Sequence, residues 1–222
     1  MQKIDKRHHY IIQLDTETAN GLEDALPYDI GYAVIDTNGK IYLTRSFINA
    51  DIFYYRALMN TAYYANKIPM YEKDIAEGKR IVKSMYEIRE QIKADIKQYQ
   101  VDTVIAHNAR FDIKALNNLI RYRTASKFRY FFPKGIEVWD TMLMARSVIG
   151  KMPTYQKYCI KNGYVYGNNQ LRMTAEILYR FISKDKNFIE NHTGLEDVMI
   201  ENEIYKYCKK QHKKMNKVLY AR

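Results

Sequence analysis

The stretch from His9 to Thr18 reads HYIIQLDTET. From His9 to Leu14 it is apolar-rich and β-branched, the composition of a buried strand. The strand continues into Asp15–Thr18, so the chain leaves the sheet on carboxylates. Residues i and i+2 of a strand share a face, which aims Asp15 and Glu17 the same way. Two neighbouring carboxylates repel, and both stay ionised most readily with a cation between them. A D-x-E pair also ends ordinary strands at the surface, so the pair acquires meaning only from what surrounds it.

Ile30 to Ile35 reads as a second strand. The turn Asp36-Thr37-Asn38-Gly39 leads into a third, Ile41 to Phe47, and the three suggest an antiparallel meander. Asp74 to Gln98 is expected to form one long helix, because Ile81, Met85, Ile88, Ile92, Ile96 and Tyr99 recur at three- and four-residue steps. Thr103–Ala106 is a short buried strand, and Phe111–Tyr122 a helix with Ile113, Leu116 and Ile120 on one face. Ile136–Val138 is a further short strand, with Asp140 as N-cap of a Thr141–Val148 helix. Helical patterns then run over Tyr155–Lys161, Thr174–Ile182 and Leu195–Lys217. Strands first, then alternation with helices, predict an α/β mixed sheet flanked by helices. No repeat, low-complexity linker or Gly/Ser-rich boundary interrupts the 222 residues, so a single domain is expected over 1–222.

A hydrophobic content of 47% with 27% charged residues is that of an ordinary globular protein. No run approaches the roughly 18 apolar residues of a membrane span. The apolar stretch near the N-terminus is too short for a signal peptide. Two cysteines, Cys159 and Cys208, are too few for a secreted disulfide scaffold. A cytoplasmic protein with reduced thiols is expected. The net charge of +11 invites a polyanionic partner. Residues 204–222 hold Lys206, Lys209, Lys210, Lys213, Lys214, Lys217 and Arg222 with no acidic residue. This basic C-terminal helix end or tail reads either as a solvated surface or as an arm for nucleic acid, favoured by counterion release.

Two further constellations stand beside the D-x-E pair. His107-Asn108-Ala109-Arg110-Phe111-Asp112 leaves a short strand and opens a helix, which puts Asp112 in the first helical turn. A carboxylate there also has an ordinary role, facing the helix dipole. His192-Thr193-Gly194-Leu195-Glu196-Asp197 separates its His and Asp by five positions. At about 100° per residue the two are about 140° apart around a helix, so one helical face would not hold both. They converge if His192 lies on the preceding loop and Asp197 in the first turns, and Asn191, Thr193 and Gly194 suit such a loop.

From about Tyr10 to Tyr207 the chain resembles the DnaQ-like exonucleases of the DEDDh type, which include polymerase proofreading subunits, ribonuclease T and oligoribonuclease. The first family motif, Asp-x-Glu-Thr, matches Asp15, Glu17 and Thr18. The second matches His107, Asn108, Phe111 and Asp112, and the third, His-x-x-x-x-Asp, matches His192 and Asp197. Trp139-Asp140 followed by Thr141 is similar to a family landmark between the last two. The related DEDDy enzymes carry Tyr four residues before the last Asp, where this chain has Thr193.

The resemblance implies a ribonuclease H-like fold, a mixed five-stranded sheet with a meander and parallel strands. It implies a 3′→5′ exonuclease releasing nucleoside 5′-monophosphates from single-stranded DNA or RNA. Asp15, Glu17, Asp112 and Asp197 would ligate two divalent cations, Mg²⁺ or Mn²⁺, as their oxygen donors suit. His192 would be the general base. Thr18 and Asn108 would help hold the terminal nucleotide. The implied partner is nucleic acid with a free 3′ end; a polymerase or replication partner and a homodimer are compatible with it. The competing reading is a non-catalytic nucleic-acid-binding or replication-complex accessory module on the same fold. A degenerate module would be expected to have lost one of the five residues, and all are present. One departure stands out: the His-Gly-Ile or Thr-Gly-Ile segment that lines the family's terminal-nucleotide pocket is missing. Residues 52–78 hold aromatics instead, among them Tyr54, Tyr55, Tyr63, Tyr64 and Tyr71, which suit either packing or base stacking. Cys208 and His212 lie four apart, but two ligands do not make a zinc site.

Overall fold

The computed structural model describes residues 4, 5 and 8–220; Arg222 of the basic tail lies outside them. β1 (Tyr10–Ala19), β2 (Leu26–Asp36) and β3 (Ile41–Asn49) form the meander, and two single-turn helices follow, α1 (Ala50–Phe53) and α2 (Arg56–Met59). Next come α3 (Ile68–Ala76), β4 (Ile81–Lys83), α4 (Met85–Tyr99), β5 (Thr103–Ala106) and α5 (Ala109–Thr124). The chain continues through β6 (Glu137–Asp140), α6 (Thr141–Val148), α7 (Pro153–Asn162), α8 (Ala175–Ser183), α9 (Gly194–Lys210) and β7 (Val218–Tyr220).

The strands form one mixed sheet in the order β4-β3-β2-β1-β5-β6-β7. β1 lies antiparallel to β2 and parallel to β5, which lies parallel to β6. The expected α/β architecture holds, with a correction: the sheet has seven strands rather than five. The two extra strands are three-residue edge pieces, too short to show a period.

β4 also corrects the long helix expected over Asp74–Gln98. Gly78 takes φ 70°, a left-handed turn that glycine adopts without Cβ strain, and ends the helical run. Ile81 then pairs with Phe47 in the sheet. Ile81 continues the apolar phase of α4 only by coincidence of spacing, and it is 51% exposed. α4 starts at a capping box in which the Ser84 side chain accepts from Glu87 N and the Glu87 carboxylate accepts from Ser84 N. The last helix likewise stops at Lys210 rather than Lys217, and the chain turns back so that Val218 and Tyr220 pair with Trp139 and Val138.

Alternation along β1 sets up both cores. Tyr10, Ile12 and Leu14 pack with Ile88 and Ile92 of α4 and Leu116 and Ile120 of α5. Ile11 joins Trp139, Met144 of α6, Leu178 of α8 and Val198 and Ile204 of α9 on the opposite face. Each such buried aliphatic side chain contributes about 1.5–3 kcal/mol. Asp15 and Glu17 continue the Ile11 face, so they project toward α9. Among the described residues no helix is long and apolar enough to cross a membrane.

Candidate active site

A cavity of about 490 Å³ opens at the C-terminal edge of β1 and β5, where open α/β sheets place their ligands. Asp15, Glu17, Asn108, His192 and Asp197 line it, together with Glu190 and Glu201.

β1 delivers Asp15 and Glu17. α9 delivers Asp197 because its first turn lies directly against the sheet. A Cβ built on Gly31 of β2 would fall inside the backbone of Gly194 and Leu195, and one on Gly194 would lie 2.7 Å from Gly31 N. Only glycine at both positions allows this approach. The contact is held by Asp29, a buried carboxylate that accepts from Gly194 N at 3.1 Å, from the Tyr71 hydroxyl at 2.8 Å and from Arg80 at 3.2 Å. Arg80 also reaches Asp74 and Glu196, so the α3–β4 connection is tied to the start of α9.

His192 sits on the loop before α9, with Thr193 as N-cap and Asp197 in the first turn. This is the loop-then-helix arrangement that the spacing requires. His192 takes φ 47°, a left-handed conformation uncommon for a side chain other than Gly, Asn, Asp or His. Lys67 donates to the carbonyls of Asn191 and His192 and pins the loop. Tyr64 stacks on the imidazole, centroids 4.5 Å apart and rings 14° from parallel. Nδ1 of His192 lies 3.7 Å from Glu190. Burial, then the Lys67 charge, push the His192 pKa down, partly offset by Glu176. The imidazole is therefore neutral near pH 7, the form that accepts a proton.

Asp112 lies in the first turn of α5 and is 2% exposed, behind the cavity wall rather than on it. One of its oxygens accepts from Thr16 N at 3.1 Å and Thr16 Oγ1 at 2.8 Å, which ties it to β1 next to Asp15 in sequence. Asn108, at φ 63°, lines the cavity, and its backbone N–H donates to Asp140 at 3.1 Å. Asp140 is also the N-cap of α6, accepting from Met142 N at 2.7 Å. The Trp139-Asp140-Thr141 stretch thus braces the loop that carries Asn108. His107 is used structurally: Nδ1 meets the Thr141 hydroxyl at 2.9 Å and Nε2 the Met173 carbonyl at 2.6 Å. Thr18 is half-buried and does not line the cavity, unlike Asn108.

Sequence reasoning missed Glu201. It lies one turn beyond Asp197 on α9, is 3% exposed, and is the foremost of the charges that raise Asp15. The signal was present as an i, i+4 acidic pair, but no motif marks it. Glu190 was missed too. It stands two residues before His192 on the loop after Phe188 and Ile189, where no motif marks it.

Every carboxylate here is pushed up by burial first, and all but Asp112 by an acidic neighbour next. Asp15 rises well above its usual value, through burial and then Glu201, Asp112 and Glu17. Glu17 reaches about 8, through burial and then Asp29. Asp197 reaches about 9, through burial and then Glu190 and Glu17. Asp112 reaches about 7, through burial held back by the Thr16 hydrogen bonds. Asp197 Oδ1 and Glu201 Oε2 are buried with no hydrogen-bond partner. Ligand atoms of Glu17, His192 and Asp197 lie within 4.8 Å of one another. Repelling carboxylates with unsatisfied oxygens fit divalent cations, which would supply the missing positive charge.

The fold and cavity define an α/β protein with an acidic, histidine-bearing cleft at the carboxyl edge of a seven-stranded mixed sheet. The same fold is found in Escherichia coli exonuclease I. Its zinc-bound complex with single-stranded DNA is similar over 92% of this chain and 41% of that one, at 15% identity and a TM-score of 0.57. Its complex with a 5cy-dT13 oligonucleotide aligns over 92% and 41%, at 13% identity and a TM-score of 0.55. The complex with a dA16 oligonucleotide aligns over 91% and 41%, at 15% identity and a TM-score of 0.53. The chain therefore spans about two-fifths of the length of those proteins. No protein-family signature matches the sequence. No curated protein matches it in sequence either.

Proposed function

We propose that residues 1–222 form a single exonuclease domain of the DEDDh type, hydrolysing phosphodiester bonds from the 3′ end of single-stranded nucleic acid. The observation that carries this reading is the convergence of Asp15, Glu17, Asp197 and Glu201 with His192 on one cleft, Asp112 behind them, where buried carboxylate oxygens lack partners. Single-stranded DNA is the first substrate to test, since exonuclease I is known in complex with it.

Asp15, Glu17, Asp112 and Asp197 would hold two divalent cations, Mg²⁺ or Mn²⁺, and Glu201 would add its charge from behind Asp15. Such ions neutralise the phosphate and acidify the attacking water. His192, neutral and exposed to the cleft, takes the proton from that water. Tyr64 and Lys67 fix its ring and its backbone. Asn108 would contact the terminal nucleotide from the cleft wall, with Thr18 supporting it from β1.

The test is a panel of 5′-labelled single- and double-stranded DNA, RNA and a dinucleotide, with Mg²⁺ or Mn²⁺ and with chelator. A ladder shortening from the 3′ end, metal-dependent and abolished by Asp15→Ala or His192→Ala in a folded protein, is expected. Internal cuts without shortening, or wild-type turnover in either variant, would overturn the reading.

A further inference from the structure

The basic tail is not the only concentration of positive charge. Between Ala109 and Lys134 the sequence carries Arg110, Lys114, Arg121, Arg123, Lys127, Arg129 and Lys134, against Asp112 as the one acidic residue. Arg110, Lys114 and Arg121 stand at i, i+4 and i+11 of α5, close to a single helical stripe. They line a groove of about 250 Å³ along the outer face of the helix, with Asn117 between them. Arg121 is shared with a second groove of about 480 Å³, walled by Asn20, Leu58, Asn118 and Tyr122. Arg121 Nε is buried without a hydrogen-bond partner, and its guanidinium lies 5.9 Å from the Tyr130 ring centre. Phe128, on the loop beyond, is 89% exposed.

The two grooves share no lining residue with the candidate active site, but each lies on a segment that leaves it along the chain. α5 opens at Asn108 on the cleft wall, and Arg110 lies two residues before Asp112. Asn20, in the second groove, follows Glu17 by three positions on the exit of β1. Arg110 and Arg121 are about 16 Å apart along the helix axis, at about 1.5 Å per residue. Lys114 pairs with Glu23, but that carboxylate is 89% exposed, and such a surface pair is readily exchanged for a phosphate. The C-terminal lysines are placed less favourably. Lys209, Lys210 and Lys213 surround a cavity at the far end of α9, and Lys210 is about 20 Å from Asp197 by the same rise.

We infer that the outer face of α5 is the track for the strand upstream of the 3′ end, with Arg110, Lys114 and Arg121 on its phosphates and Phe128 free to stack on a base. The partner is a single-stranded nucleic acid several nucleotides long. Phosphate contacts of this kind are independent of sequence, and base–aromatic stacking tolerates every base. Its direction rests on the exonuclease reading; its existence as a binding surface does not.

The experiment measures binding of a fluorescein-labelled 20-mer of thymidylate by anisotropy, in EDTA, across a salt series. The proteins are wild type, Arg110→Ala, Arg110→Ala/Arg121→Ala, and Lys209→Ala/Lys210→Ala/Lys213→Ala. Arg110 is exposed, so its single replacement leaves the packing intact and keeps the test valid should the double variant unfold. The plot of log affinity against log salt should become shallower by about 0.7 in the single variant and about 1.4 in the double, at about 0.7 per phosphate contact. With metal, the ratio of KM for the 20-mer to KM for a dinucleotide should rise. Wild-type affinity and slope in both α5 variants, or a loss confined to the tail variant, would overturn the track. If no protein in the set degrades either substrate, the exonuclease reading fails, while the anisotropy series still decides the track.

Discussion

Gly31 of β2 and Gly194 of α9 touch backbone to backbone, and this contact brings the carboxylates of β1 and α9 to one cleft. Asp15 pairs with Gly31 across the sheet, and Asp197 lies one turn into the helix that Gly194 begins. A Cβ on Gly31 would meet only backbone atoms, so no side chain can move aside. Gly31→Ala should therefore displace the start of α9, destabilising the fold by about 1–3 kcal/mol as overpacking does. Cleavage should fall far more than stability, because a displacement of about 1 Å costs on the order of a hundredfold in rate. Thermal melting and the oligonucleotide ladder, measured on the same preparation, check this. A variant that melts lower but cleaves normally would show that the contact positions nothing.

The raised carboxylates make stability depend on pH and metal together. A carboxylate whose folded pKa lies above its unfolded value binds more protons when folded. Stability then falls as pH rises from the unfolded value through the folded one. For Asp112, Glu17 and Asp197 that window runs from about 4 to about 7, 8 and 9 respectively. Metal-free protein should melt at least about 5 °C lower at pH 9 than at pH 6, given about 2–4 °C per kcal/mol for a chain of this size. Saturating Mn²⁺ or Mg²⁺ should remove most of that difference by supplying the missing charge, and Asp197→Asn should reduce it without metal. Melting curves at both pH values, with and without EDTA, decide it. A Tm in EDTA that rises with pH would contradict the account.

What was legible in the sequence was local. Alternation in HYIIQLDTET put Asp15 and Glu17 on one face, and the spacing of His192 and Asp197 demanded a loop followed by a helix. Both hold in the structure. The errors lie where local pattern and long-range pairing diverge. Ile81 falls in phase with the α4 stripe, so periodicity extends the helix through Gly78, although Ser84-x-x-Glu87 marks the true helix start. β7 has three residues and exists because β6 offers an unpaired edge, which no periodicity announces. Glu201 looked like one more acid on a helix. Its burial follows from the depth at which α9 seats on Gly31, a long-range fact. Asp112 needed the Thr16 hydrogen bonds to distinguish it from an ordinary acid in a first turn.

The Asp29–Arg80 pair should prove structural. Asp29 is fully buried and Arg80 7% exposed, and together they hold α9 against the segment that follows α3. Arg80→Met leaves Asp29 without its cation in a low-dielectric site, an expected loss of about 3–5 kcal/mol. That corresponds to a fall in Tm of about 6–20 °C. Adding Asp29→Asn should recover much of the loss, since the neutral amide needs no counter-charge. Differential scanning calorimetry of the three variants measures the coupling. Additive losses in the double variant would mean that the two side chains act independently.

Glu201→Gln separates the charge of this side chain from its shape. The carboxyl is buried, its Oε2 has no partner, and it raises Asp15 more than any other charge does. Glutamine fills the same volume and removes the repulsion. Metal-free protein should therefore become more stable, and its Tm less sensitive to alkaline pH. Cation binding should move the opposite way, because the site loses one negative charge beside Asp15. Partners just behind metal ligands typically contribute about 10–100-fold in metal affinity, and a loss in that range is expected. Titration calorimetry with Mn²⁺ reads the affinity, and melting in EDTA reads the stability. The opposite signs are the signature: a merely structural glutamate would lower Tm on replacement and leave the Mn²⁺ affinity where it was.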